Sequence, residues 1–173
     1  MPNPLENAVA KAAGTAGVVE ARLRGLRGVF TALAEQHHEV GSLLARAESA
    51  TDPEKRQELW NEIRKELISH EQAELIDLYP LLESNELTRA ISRDHATNVE
   101  ALEPLIQEID RIGVASSEWA PAIARLIATV KAHVKLEETK LFPAAQDALG
   151  ETIAKELEAP LLRTKALAKE ALR

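Results

Sequence analysis

The sequence predicts an all-α protein, an up-down-up-down four-helix bundle with an extra C-terminal helix and a loose N-terminal arm. Apolar residues recur at helical spacing along most of the chain, and no stretch alternates in the manner of a β-strand. Aromatic residues make up only 3% of the sequence, while Leu, Ala, Ile and Glu are abundant, which favours helix over sheet. Short links between the long helical patterns indicate antiparallel neighbours.

Composition excludes several classes of function. The chain has no cysteine, so disulfides, thiolate metal sites, iron–sulfur clusters and cysteine nucleophiles are all excluded. A net charge of −7 argues against nucleic acid and anionic membrane as partners. The N-terminus does not resemble a signal peptide and no apolar run is long enough to span a bilayer, so we expect a cytoplasmic protein.

The 173 residues are enough for one core, and we divide them into three parts. Residues 1–17 contain prolines and glycines and are expected to form the loose arm, with at most a short helix near residues 5–13. Residues 18–149 are predicted to form the bundle. Residues 150–173 are predicted to form an amphipathic helix packed on or beside it.

The first two helices are predicted from their apolar periodicity and from one clear start signal. Helix one is expected at Val19–Glu48, weakened locally by Gly25, Gly28 and Gly41. Helix two is expected at Pro53–Leu82, because Asp52 is a good N-cap residue and proline is favoured at the first helical position.

The remaining helices carry internal prolines. Helix three is expected at Glu86–Ile112, with a kink or a missing backbone bond at Pro104. Helix four is expected at residues 116–149, starting at a serine cap and bent or broken near Pro143. The last helix is expected at Glu151–Leu172.

A duplicated motif gives the strongest functional signal. In each copy a Glu follows a His by four residues, an aromatic residue follows that Glu by five, and a proline comes next. The copies are His70, Glu74, Tyr79 and Pro80, and His133, Glu137, Phe142 and Pro143. Four residues is about one helical turn, so each His and Glu share a face and are suited to holding a metal ion together.

Helix register places these residues at one height. In an antiparallel pair, residues equidistant from the connecting turn lie level with each other. By that rule His37, His70, His95 and His133 fall in one layer, together with Glu74 and Glu137. We therefore predict a single polynuclear site whose metal ligands are His37, His70, Glu74, His95, His133 and Glu137.

Some neighbouring residues remain open as alternatives. His37 and His38 cannot both point inward, and His37 matches the apolar register of the first helix, so it is favoured. Glu71 is a candidate for an additional terminal ligand, whereas Glu138 is expected to face solvent. Tyr79 and Phe142 are expected to fill the core at the end of the bundle.

These motifs resemble the haemerythrin-like family, also called the HHE cation-binding domain, over roughly residues 28–148. The resemblance rests on Gln36-His37-His38-Glu39, His70-Glu71-x-x-Glu74 with Leu78-Tyr79-Pro80, Asp94-His95, and His133-x-x-x-Glu137-Glu138 with Leu141-Phe142-Pro143. It implies two iron ions, oxo- or hydroxo-bridged, in a four-helix bundle. Glu74 and Glu137 would bridge the irons, and the four histidines would be terminal ligands.

The chain departs from the pattern of the oxygen-carrying members at two positions. Val99 stands where they have a second helix-three histidine. They also carry Asp five residues after the fourth-helix histidine, whereas this chain has Glu137 at plus four and Glu138 at plus five. The reduced ligand set would leave open positions on both irons, unless Glu71 fills one. Open positions suit reaction with peroxide, oxygen or nitric oxide better than reversible oxygen carriage. The donor set favours iron through the resemblance but also suits zinc or manganese.

Three functions compete at this point. The leading one is a di-iron protein that binds metal and reacts with or senses oxygen, peroxide or nitric oxide. The second is a metal-dependent interaction or sensor module without turnover, or a protein of iron storage and handling. The third is a helical bundle without a metal function. Neither nucleic acid nor membrane is an expected partner, and an oligomer is compatible with the sequence.

Overall fold

The computed structural model describes residues 4–93 and 102–172, and within these ranges it is helical with no β-strand. The helices are α1 Pro4–Leu23, α2 Val29–Ser49, α3 Pro53–Ala73, α4 Tyr79–Ser84, α5 Leu102–Ile112, α6 Trp119–Leu136 and α7 Phe142–Ala171. The predicted all-α helical class is confirmed. The up-down-up-down order and the kink at Pro104 stay predictions, because residues 94–101 between two helical segments lie outside the described ranges. None of the helices described here is both long and apolar enough to cross a bilayer.

The N-terminal segment is a helix, so the expectation of a loose arm is wrong. Helix α1 packs along α2. Its glycines permit the close approach, since a Cβ atom on Gly17 would lie 2.5 Å from the His38 ring and one on Gly14 would lie 2.9 Å from Glu39 Cγ. These glycines were interpreted as signs of flexibility, but here they are contact points between two helices.

The predicted first helix, Val19–Glu48, is divided in two. Helix α1 ends at Leu23 and α2 begins at Val29, and Gly25 and Gly28 between them have φ values of 88° and 54°. Positive φ is accessible to glycine at little energetic penalty, so the two glycines form a turn instead of weakening a continuous helix. This turn folds α1 back against α2.

Two five-residue π-helical segments interrupt the other long helices. Segment π1 is Glu74–Leu78 and segment π2 is Glu137–Leu141. Each ends in a backbone hydrogen bond that spans five residues, from the aromatic N–H to the carbonyl of the motif glutamate. The proline that follows each aromatic residue explains the wide turn, because it has no N–H to donate and its ring clashes with the carbonyl four residues back.

Helix α7 runs back along α3 and completes the bundle. Its direction changes at Gly150, where φ is 81° and ψ is 163°, as the predicted stop at this glycine anticipates. Beyond that point Lys165 Nζ lies 2.8 Å from Glu66 and Lys169 Nζ lies 2.7 Å from Glu62 on α3. Lys169 also pairs with Glu66.

The interior consists of two apolar clusters. One contains Leu67 and Val130, and the other contains Ala73 and Phe142. Along each helix the polar residues of the duplicated motif occur between members of the two clusters. The candidate site is therefore enclosed by apolar side chains along the helix axes.

Candidate metal centre

Five of the six predicted metal ligands are described, and their side chains meet inside the bundle. Helix α2 provides His37, α3 provides His70, and α6 provides His133; the two glutamates, Glu74 and Glu137, are the first residues of π1 and π2. All five side chains are buried. His95 lies outside the described residues, so its place in the site stays a prediction.

His37 stands between two consecutive glutamates. Its Nε2 atom lies 3.0 Å from Glu137 Oε2, and its Nδ1 atom lies 2.9 Å from Glu138 Oε1. Burial acts to lower the pKa of His37, but the contacts with both carboxylates outweigh it and raise the pKa to about 9. The expectation that Glu138 faces solvent is therefore wrong. Glu138 is buried, and it is held on its other oxygen by Arg24 at 3.2 Å.

The ring of His70 is oriented in a comparable way by Gln36. Its Nδ1 atom lies 2.9 Å from Gln36 Oε1, and its Nε2 atom faces Glu74 Oε2 at 3.8 Å. Burial, followed by the nearby charge of His37, holds the pKa of His70 well below 6.5. An amide oxygen accepts but does not donate, so Gln36 favours the tautomer that has its proton on Nδ1 and a lone pair on Nε2.

His133 brings Glu71 into the site. Its Nε2 atom lies 3.1 Å from Glu71 Oε1 and 3.4 Å from Glu137 Oε2. Burial acts to lower the pKa of His133, but Glu137 and Glu71 together raise it. The geometry thus places Glu71 at the edge of the cluster, in agreement with its status as a candidate for an additional ligand.

The buried carboxylate of Glu74 is the group in the site that most needs a proton or a cation beside it. Apart from the Glu137 carboxylate, with which a hydrogen bond requires a shared proton, neither of its oxygens has a hydrogen-bond partner among the described residues, although the side chain is completely buried. Burial, and then repulsion from Glu137 and Glu71, raises the pKa of Glu74 well above 4.5. A buried, unpaired carboxylate is strongly unfavourable unless a proton or a cation neutralises it.

The residues fit a bound cation. One donor atom from each of His70, Glu74, His133 and Glu137 can be chosen so that all four lie within 4.8 Å of one another. Imidazole nitrogen and carboxylate oxygen together suit divalent and trivalent transition metals. Gln36 and Glu138 each hold the far nitrogen of a histidine, as outer residues commonly do around metal-binding imidazoles.

Sequence reasoning did not assign a role to either of these two outer residues, Gln36 and Glu138. Gln36 precedes His37 in the chain but contacts His70 on another helix, and Glu138 follows Glu137 but contacts the opposite nitrogen of the same imidazole. Both contacts are between helices and depend on side-chain direction. The only local signal was an amide and a second carboxylate directly beside predicted ligands.

The fold and the site together define a helical protein with a buried, carboxylate-rich cation site. Residues 28–145 match the family model of the hemerythrin HHE cation binding domain. Since this match covers more than half of the 173 residues, the chain belongs to that family.

One curated relative and the solved structures complete the comparison. The chain is similar to a DNA nickase from Nostoc sp. (strain PCC 7120 / SAG 25.82 / UTEX 2576), with 28% identity over 114 residues. The aligned region is 66% of this chain and 32% of the nickase, so the chain spans about a third of that relative's length. No solved structure matches.

Proposed function

We propose that this protein is a non-haem di-iron protein that reacts with or senses oxygen, peroxide or nitric oxide. Two oxo- or hydroxo-bridged irons would be held by His37, His70, Glu74, His95, His133 and Glu137. When bound, iron in its ferrous state would supply coordination positions and the electrons for reaction with a small oxidant. The surrounding chain contributes a dry, shaped cavity and fixed ligand directions.

The observation that carries the proposal is the buried Glu74 carboxylate, which lies against a second carboxylate, Glu137, has no other hydrogen-bond partner among the described residues, and faces His70 Nε2. A metal ion would satisfy both groups at once. Glu74 and Glu137 would be the two bridging carboxylates, and their burial at the start of the two π segments supports this role. Gln36 and Glu138 would fix the rings of His70 and His37 without touching the metal.

Metal analysis of protein purified without chelators tests the proposal. We expect about two irons per chain and a near-ultraviolet charge-transfer band, by analogy with other two-metal sites. His70→Ala and His133→Ala should lose most of the bound iron. His38→Ala is the matched control, because His38 is half-buried against α1 and lies near Glu20 instead of the site. Equal iron content in all the variants would reject the proposed site.

The identity of the metal is part of the same proposal. Nitrogen and oxygen donors also suit zinc and manganese, so iron rests on the family and on the expected redox chemistry. Competition between iron and zinc during refolding of metal-free protein measures this preference. Tight binding of a single zinc with no iron spectrum would exclude the redox function and leave the bundle intact.

A sensor role is the second candidate, and one contact favours it. Arg24, at the end of α1, reaches Glu138, which in turn holds His37. A change at the metal could therefore reach the N-terminal helix. Hydrogen exchange of α1 in the oxidised and the reduced protein tests this role, and identical exchange in the two states would count against it.

We also propose that the protein is cytoplasmic and binds neither membrane nor nucleic acid. The net charge of −7 supports this, whereas the name of the Nostoc relative points to DNA. Incubation of the iron- or manganese-loaded protein with supercoiled plasmid distinguishes a protein that does not act on DNA from a nuclease. Metal-dependent nicking that disappears in His133→Ala would replace our proposal with a nuclease function.

A further inference from the structure

A cleft of about 320 Å³ opens on the surface between α2 and α6. Its walls are mainly apolar, and its inner end is formed by His37 and Glu138. A second, much smaller cavity of about 10 Å³ lies among the site residues themselves. His37, Val130 and Val134 line both spaces, so these side chains are the partition between the surface cleft and the candidate metal centre.

Small residues on α2 keep the cleft wide. Gly41 and Ala45 lie one helical turn apart and both line it. A Cβ atom on Gly41 would meet no atom within 4 Å, so the space beside this glycine is open. Glycine inside a helix is less favourable than alanine by about 1 kcal/mol. Because an alanine methyl group would meet no atom here, packing does not explain the glycine at position 41.

The rim of the cleft is cationic. Lys131 and Lys135 are exposed, lie one turn apart on α6, and form no salt bridge with any described residue. Arg24 also lines the cleft, but its charge is engaged by Glu138 and Glu20. Glu48 is the only other acidic residue of the lining, so the two lysines dominate its charge.

We propose that this cleft is the route by which small uncharged and anionic reactants reach the metal centre, and that Lys131 and Lys135 concentrate the anions. The proposal rests on the proposed function. Apolar walls admit dioxygen, peroxide and nitric oxide, whereas the lysines add selectivity for anions. Val134 is only partly buried, so it is the part of the partition that can move aside for a molecule of a few atoms.

Binding of azide to the metal-loaded protein, followed by rapid mixing, tests the route. The double variant Gly41→Leu with Ala45→Leu narrows the cleft, and Val134→Trp blocks its inner end by a different change. Both should slow azide binding and reaction with hydrogen peroxide severalfold. Gly41→Ala is the graded comparison, since it adds only one methyl group to the same wall and should slow both rates less than the double leucine variant does.

Charge reversal separates the role of the lysines from that of the walls. In Lys131→Glu with Lys135→Glu, azide binding should slow by about tenfold at low ionic strength, and the effect should shrink as salt is added. Reaction with neutral hydrogen peroxide should be unaffected. Metal content is measured first in every variant. A wild-type protein without metal would overturn the proposed function, whereas full metal content with unchanged rates in all the variants would overturn only the route.

A second readout needs no metal. Dissolved dioxygen is paramagnetic and broadens the NMR signals of methyl groups that it approaches. In the metal-free protein we expect stronger broadening at Val130 than at Ile109, because both are buried in the apolar core and only Val130 lines the cleft. The narrowed double variant should lose this difference. Broadening centred instead on Leu67 and Leu102, which line a cavity on another side of the site, would overturn the proposal and place the route there.

Discussion

Glu138 shows how one side chain outside the predicted ligand set can orient a residue of the candidate site. It accepts a hydrogen bond at His37 Nδ1 and is itself held by Arg24, so the ring is fixed with Nε2 toward Glu137. Removing such a support leaves the ligand present but free to rotate. Removing Glu138 should therefore weaken metal affinity more than it destabilises the fold.

We expect Glu138→Ala to weaken metal binding by roughly 10- to 100-fold, because a ligand that has lost its outer partner must be ordered on binding. Glu138→Gln keeps an oxygen acceptor and should lose much less. Competition with a chelator of known affinity measures both variants. Glu156→Ala, at an exposed position on α7, serves as the matched control, and an equal loss there would point to net charge instead.

The pKa values of the site predict how the metal-free protein responds to pH. The pKa of His37 is raised from 6.5 to about 9, so this group contributes stability that is present below pH 6.5 and is lost as pH rises through 9. The raised pKa values of Glu74 and His133 act in the same direction. The free energy of unfolding should therefore fall between pH 6.5 and 9, with His37 alone contributing on the order of 3 kcal/mol.

Urea unfolding of the metal-free protein at several pH values measures this fall, and NMR titration of His37 assigns it. In the metal-loaded protein the same interval should be much flatter, because metal ions occupy the positions that protons hold in the metal-free state. A metal-free protein whose stability is constant from pH 6.5 to 9 would contradict the electrostatic picture of the site.

At the scale of whole elements, the two π segments connect the prolines of the duplicated motif to its glutamates. Pro80 and Pro143 each follow a wide turn that begins at Glu74 or Glu137. An extra residue in one helical turn rotates the part of the helix that follows it, about the helix axis, relative to the part that precedes it. The apolar aromatic residues and the glutamates of the duplicated motif can thereby both face the interior.

Pro143→Ala supplies the missing N–H and removes the ring clash, so the regular helix becomes competitive with the π turn. We expect Glu137 to lose its fixed direction and metal retention to decrease, while helix content by circular dichroism is unchanged. Pro121→Ala is the control, because Pro121 lies in the first turn of α6, where no intrahelical hydrogen bond is lost. Equal metal retention in the two variants would show that core packing alone maintains π2.

Two glycines, Gly28 at the start of α2 and Gly41 within it, lead to opposite predictions for stability. Gly28 has φ of 54°, and a Cβ atom on it would lie 2.2 Å from the Ala154 carbonyl oxygen. Gly28→Ala should thus destabilise the fold by about 2 kcal/mol or more, from strain and overpacking. Gly41→Ala adds a methyl group in open helical space and should be neutral or stabilising by up to about 1 kcal/mol. Thermal unfolding compares the two, and similar effects would contradict the described turn.

The sequence determines much of this arrangement, and the exceptions have physical reasons. Periodicity and capping at Asp52 identify the helices, since both depend on neighbours along the chain. The same reasoning interpreted Gly14 and Gly17 as flexible and treated Glu138 as exposed. Those errors concern contacts between helices, which a one-dimensional pattern does not encode.

At the scale of the whole molecule, the last helix is held to the bundle by a buried ion-pair cluster. Glu66 on α3 contacts Lys165 and Lys169 of α7, and little of the Glu66 and Lys165 side chains is exposed. Burial acts to raise the pKa of Glu66, but the two lysines lower it overall. Its contribution to stability is therefore present above pH 4.5 and is lost as pH falls below that value.

Glu66→Gln leaves two lysines facing a neutral amide in a largely buried position. Breaking one side of a buried pair is typically destabilising by about 3 kcal/mol or more, and solvent access around Lys169 reduces this to roughly 2 kcal/mol here. Chemical denaturation with a fluorescence probe measures the change. Glu58→Gln on the exposed face of α3 is the control, and a comparable loss there would argue against a special role of α7.

The π segments also bear on how relatives of this chain should be aligned. A helix that lacks such a wide turn reaches the same end point with one residue fewer. A family member without the proline at either position should therefore carry a single-residue deletion between the glutamate and the aromatic. Its remaining residues would stay in phase with those described here, and a gap at this point marks a change of turn, not a loss of the site.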